Sequence, residues 1–127
     1  MTDLIESRDG AVATLTMNRP DRLNALTLGM LDSIMEAVTR FDQDDSVGCV
    51  VLTGTGRAFS AGGDVKSMAE GSEAKQGFDA RARSLRRRME VSRMIHEAAK
   101  PWVASVRGPC AGASLSLALA CDMRVVS

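Results

Sequence analysis

GTGRAFSAGGDVKSM, residues 54–68, is the stretch that decides how this chain is read. It is entered from Val47–Thr53 (VGCVVLT), a run of strand-forming residues, and left through residues compatible with a helix. A buried strand thus hands over to a helix through a turn of very small residues. Gly62 and Gly63 carry no side chain to block a ligand, and the first amides of a helix have no intrahelical partner. Backed by the positive end of the helix dipole, such amides suit an anion, or a carbonyl oxygen that is becoming one. A tight turn that needs glycine only for its backbone angles explains the same residues.

Working outward, Leu4–Ser7 and Ala11–Met17 read as two short strands around Arg8-Asp9-Gly10, a hairpin. Pro20 in NRPDR (residues 18–22) excludes a continued central strand. Thr27 is placed to cap a helix whose apolar positions Met30, Leu31, Ile34, Val38 and Phe41 recur at three- and four-residue steps. DQDDS (residues 42–46) ends it, and Val47–Thr53 follows as a near-continuous apolar strand of the kind covered on both faces. After a polar, alanine-rich region comes a long helical pattern with Phe78, Ala82, Leu85, Met89 and Ser92 as its expected buried stripe, stopped by Pro101. Trp102–Arg107 is a further strand, Gly108–Gly112 a second small-residue turn, Ala113–Ala120 a short apolar helix and Met123–Val126 a last strand with an open edge. Strand, small turn and helix occur twice, which predicts an α/β architecture with helical crossovers.

Composition narrows the function classes. Sixteen basic and sixteen acidic residues cancel, so there is no global electrostatic case for nucleic acid or an anionic membrane. The charged N-terminus, MTDLIESRDG, has no apolar core of a secretory signal, and no apolar run is long enough to span a bilayer. A cytoplasmic location is the default expectation. Cys49, Cys110 and Cys121 are an odd count in apolar surroundings, read as buried small hydrophobes, and one histidine with no Cys-x-x-Cys argues against zinc. Arg81, Arg83, Arg86, Arg87, Arg88 and Arg93 lack interleaved aromatics and read as a solvated helix face. Ser114 and Ser116 invite a serine-hydrolase reading, but GASLS (residues 112–116) lacks the closing glycine of the nucleophile elbow. His96, near the end of the long helix, suits the negative end of the helix dipole better than a catalytic role.

Two turns of the same type suggest a shared purpose: one amide from each, if they face one another, would bond a single oxygen from two sides. In an oxyanion hole one such donor is worth roughly 3–4 kcal/mol of transition-state stabilisation. At this point four segments become recognisable: NRPDRLNAL (18–26), GRAFSAGGDVK (56–66), KPWVASVRG (100–108) and PCAGASLSLALACD (109–122). Together they resemble the crotonase, or enoyl-CoA hydratase/isomerase, family, in the family's order over nearly the whole chain. The resemblance implies the crotonase-like (ClpP/crotonase) spiral of β-β-α units. Family members are about twice as long, so it also makes residues 1–127 the N-terminal portion of a single domain whose C-terminal half is absent.

By that resemblance Gly63 and Ala113 supply the two oxyanion amides; the family usually has glycine at the second position. Asp64 follows the first amide, and Lys66 matches a basic residue near the coenzyme A phosphates, with Val65 between them in the substrate-lining segment. Arg22 lies in the segment lining the adenosine and pyrophosphate, and the backbones of Leu23 and Ala61 match positions that frame the adenine. Hydratases of the family carry a glutamate where this chain has Ser116. Water addition to a conjugated double bond uses two carboxylates, so Ser116 fits a double-bond isomerase better than a two-glutamate hydratase. The resemblance implies an acyl-CoA thioester as substrate, no metal or redox cofactor, coenzyme A arriving only as part of the substrate, and a trimer or dimer of trimers. A non-catalytic acyl-CoA-binding protein of the same fold is the competing expectation, and the fragment alone is expected to be inactive.

Overall fold

The computed structural model describes residues 2–63 and 77–127, and within the helix Phe78–Glu97 the side chains other than those of residues 80, 81, 84, 87 and 88. Five strands, β1 (Leu4–Asp9), β2 (Val12–Met17), β3 (Cys49–Gly54), β4 (Trp102–Val106) and β5 (Met123–Val126), form one sheet in the order β1-β2-β3-β4-β5. β1 and β2 make the antiparallel hairpin, while β2, β3, β4 and β5 run parallel. Parallel neighbours need crossovers. These are a 3-10 turn (Pro20–Arg22) with α1 (Leu28–Asp42), then α2 (Phe78–Glu97), then α3 (Ala113–Ala120).

The core lies between the helices and one face of the sheet. Register puts Leu15, Leu52 and Ala104 side by side across three strands, and all are buried. Ile34 and Phe41 of α1, Val91 and Ile95 of α2 and Leu117 of α3 belong to the same cluster. Thr27 caps α1 as expected: its Oγ1 accepts the Met30 N–H at 3.1 Å. The apolar stripe of α1 is buried throughout, with Ala37 added to it.

Two sequence-based expectations are corrected. β3 is not covered on both faces: Val50, Leu52 and Gly54 are buried, while Cys49, Val51 and Thr53 are only half-buried. Its apolar run reflects a half-covered second face, lined also by the half-buried Thr14, Thr16, Val103 and Ser105. The stripe of α2 is also misplaced. Phe78, Ala82, Leu85 and Met89 are exposed and Ser92 is half-buried, whereas Val91 and Ile95 are buried. Periodicity marks which residues share a face, and among the described side chains of α2 the fully buried ones are in its last turns. The helix expected after Gly63, and the side chains of Arg81, Arg87 and Arg88, lie outside the described residues. No described helix is long and apolar enough to cross a membrane.

Candidate functional site

Three parallel strands end at the same margin of the sheet. Met17 closes β2 opposite Gly54, which closes β3, and Val106 closes β4 beside them. Each strand end releases a loop: residues 18–27, 55–63 and 107–112. Loops at the carboxyl ends of parallel strands are where α/β sheets characteristically bind ligands.

The loops are fastened to one another by their backbones. Ala61 N–H donates to the Leu23 carbonyl (2.9 Å) and Leu26 N–H to the Gly62 carbonyl (2.7 Å), joining the first loop to the second. Ser60 N–H donates to the Pro109 carbonyl (3.1 Å) and Ala111 N–H to the Ser60 carbonyl (3.3 Å), joining the second to the third. Gly62 has φ +105°, and a Cβ there would stand 2.7 Å from the Ala111 carbonyl oxygen and 3.7 Å from the Gly112 Cα. Only glycine lets the two small-residue turns come this close.

This contact places Gly63 and Ala113 each one residue beyond it. The Gly62 carbonyl and the Gly63 N–H belong to one trans peptide unit, so they point in opposite directions. With the carbonyl committed to Leu26, the Gly63 N–H faces away from the first loop. The same holds at the second turn. The Gly112 carbonyl accepts from Leu115 N–H (3.1 Å) and Ser116 N–H (3.4 Å), so the Ala113 N–H, first in α3, projects outward from the start of the helix. Among the described residues neither amide has a hydrogen-bond acceptor.

Leu23 and Ala61 are thus brought together, as bonded backbone neighbours. Arg22 ends the 3-10 turn with its side chain exposed. Asp64, Val65 and Lys66 lie outside the described residues. Ser116 is exposed one turn into α3. Ser114 is fully buried, and its hydroxyl is engaged with the Ser60 and Ala111 carbonyls, which removes it as a free nucleophile. Cys110 is half-buried, and burial pushes its thiol above the ordinary range, against a smaller opposing effect from Ser114, so it stays protonated at neutral pH. His96 is exposed in the last turn of α2. Residues 55–63 and 107–113 contain Arg57 and Arg107 and no carboxylate. No cluster of three or more His, Cys, Asp or Glu that could hold a metal occurs among the described residues.

Sequence reasoning missed Asn24 and Ser60. Both are fully buried and hydrogen-bonded across loops. Their signal was faint: asparagine and serine in a turn usually bond their own backbone, and nothing in spacing marks one that reaches a distant loop.

Arrangement and sequence agree with known proteins. A family profile described as enoyl-CoA hydratase/isomerase matches residues 12–127. 4-Chlorobenzoyl coenzyme A dehalogenase-2 of Arthrobacter sp is 39% identical over 123 residues, covering 95% of this chain and 43% of that protein. A Mycobacterium tuberculosis relative, "Probable enoyl-CoA hydratase EchA12", is 37% identical over 126 residues, or 98% of this chain and 44% of its own length. The crystal structure of an enoyl-CoA hydratase/isomerase from Xanthobacter autotrophicus Py2 superposes with a TM-score of 0.91 at 37% identity, over 98% of this chain and 46% of that one. The chain spans less than half the length of these relatives, and its sheet and crossovers match part of a crotonase-like α/β fold. With the match running from β2 to the last residue, this chain belongs to the enoyl-CoA hydratase/isomerase family.

Proposed function

We propose that the chain forms the thioester-binding part of an acyl-CoA enzyme, with the thioester oxygen held between the backbone N–H groups of Gly63 and Ala113. The observation that carries this is the pair of outward-turned amides, each fixed by a bond to the carbonyl of its own peptide unit, one and two residues beyond the Gly62–Ala111 contact. Two such donors stabilise the enolate formed when a proton leaves the carbon beside the carbonyl. Leu23 and Ala61 frame the adenine with their backbones in this reading, and exposed Arg22 joins Lys66 and the residues beside it, Asp64 and Val65, along the coenzyme A.

The reaction is a proton shift rather than a hydration. Ser116 offers no carboxylate, and residues 55–63 and 107–113 contain none. A single carboxylate from sequence following residue 127 takes the proton from one carbon and returns it to another, as a double-bond isomerisation requires. No metal or redox group enters this reading; coenzyme A comes with the substrate, and the whole protein works in the cytoplasm as a homo-trimer or hexamer. The full-length protein, given 3-enoyl-CoA or 2-enoyl-CoA in deuterated water, is expected to place deuterium next to the thioester or at the far end of the double bond. Binding without exchange of either would sink the enzyme reading and favour an acyl-CoA-binding protein that keeps the two amides.

A further inference from the structure

Asn24, Ser60 and Ser114 are the fully buried polar residues among the described ones; Asn24 and Ser60 lie on the first and second loops of the site, and Ser114 in the first turn of α3, which the third loop enters. Asn24 fixes the first loop to the second: Nδ2 donates to the Thr55 and Ala58 carbonyls (2.9 Å each), while Oδ1 accepts the Arg19 N–H at 2.8 Å. Ser60 continues the chain, its hydroxyl donating to the Asn24 carbonyl (2.7 Å) and accepting the Gly62 N–H (3.1 Å). Ser114 completes it from the first turn of α3. Its hydroxyl lies 2.8 Å from the Ser60 carbonyl and 2.7 Å from the Ala111 carbonyl, and accepts the Ala111 N–H at 3.0 Å.

A hydroxyl has one proton, so Ser114 bonds either across to the second loop or back to its own turn. Three buried polar groups are a poor way to gain stability. The desolvation of a hydroxyl nearly cancels its hydrogen bond, leaving about 1 kcal/mol net, and alanine would fill nearly the same space. What such a network supplies is a unique arrangement. Here the bonds end on the two turns that carry the proposed oxyanion donors: Ser60 holds the Gly62 N–H one peptide before Gly63, and Ser114 is the residue after Ala113.

We propose that Asn24, Ser60 and Ser114 are positioning residues: a buried hydrogen-bonded series that sets the separation of the Gly63 and Ala113 amides and so tunes how strongly the thioester carbonyl is polarised. This rests on the oxyanion reading above. The residues touch no reacting atom; they act by fixing the loops. A displacement of the donors by a fraction of an ångström weakens transition-state bonding more than ground-state binding of coenzyme A, whose contacts lie elsewhere.

The test uses the full-length protein and 2-butenoyl-CoA labelled with 13C at the thioester carbonyl, read by infrared difference spectroscopy and steady-state kinetics. Binding to the unmodified protein is expected to lower the carbonyl stretching frequency. In Ser114→Ala that shift should shrink towards the free ligand, with kcat down about ten-fold and KM changed by less than about two-fold. Ser60→Ala should do the same, and the double variant should lose little more than the larger single, because the bonds act in series. A shift kept intact in both single variants overturns the positioning roles and leaves the two-amide reading standing. Fully additive losses, or loss of folding in both variants, assign the hydroxyls to packing and overturn the proposal. No shift in the unmodified protein removes the oxyanion reading and this inference with it.

Discussion

Ala113 occupies the one helical position where proline is readily accepted, the first residue of α3, so Ala113→Pro deletes the proposed donor while leaving the helix able to form. The full-length enzyme is expected to lose about 10²–10³-fold in kcat with its thermal midpoint little changed; unchanged turnover would show that this amide does not face the substrate. Gly108 is a different kind of residue. It has φ +65°, and a methyl there would overlap the Arg57 carbonyl oxygen, so Gly108→Ala carries both the left-handed backbone cost and a forced separation of two loops. Destabilisation of more than about 2 kcal/mol is expected from urea unfolding. Cys121 gives a pH signature. Burial, aided by Asp122 and only partly opposed by Arg124, pushes its thiol up to about 12. The unfolded chain then ionises this thiol near its ordinary value, about 8.5, while the folded one holds its proton, so stability falls as pH rises from there towards 12. Denaturation midpoints at pH 8 and pH 10 should drop further for the unmodified chain than for Cys121→Ala; equal drops would exclude this thiol as the cause.

At the scale of elements, α1 and α2 teach opposite lessons. In α1 the periodic positions, the Thr27 cap and the acidic turn after Asp42 were all legible, because the whole apolar face meets the sheet. In α2 the same period was legible but its depth was not. Leu85 and Met89 are 58% and 65% exposed, and among the described side chains full burial begins at Val91. A helical repeat states which residues share a face; whether something covers that face is decided by elements far away in sequence. The contrast is measurable: Ile95→Ala should cost about 2–5 kcal/mol, and Leu85→Lys less than about 0.5 kcal/mol. Equal costs would place the first turns of α2 in the core after all. The loops follow the same logic. Gly62 and its neighbours announced a close approach, but the partner they approach, Ala111, and the buried bonds of Asn24 and Ser60 depend on contacts some 31 to 54 residues apart, which no local pattern encodes.

For the molecule as a whole, one margin is apolar and open. Met123, Val125 and Val126 of β5 are exposed on both faces of the strand, and Leu115 and Leu119 of the preceding helix α3 are exposed as well. Among the described residues β5 pairs only with β4. An apolar strand edge of this kind recruits other chains, so the isolated 127-residue chain is expected to self-associate with rising concentration. Val126→Lys should shift light scattering towards the monomer; scattering that is the same for both would mean another surface drives association. The order of the strands has a further consequence. Each strand in the sheet lies beside the one made just before it, so as the chain leaves the ribosome every new strand finds its template already laid down. Assembly can keep step with synthesis, and at no stage does a finished strand have to wait for a distant one to be translated.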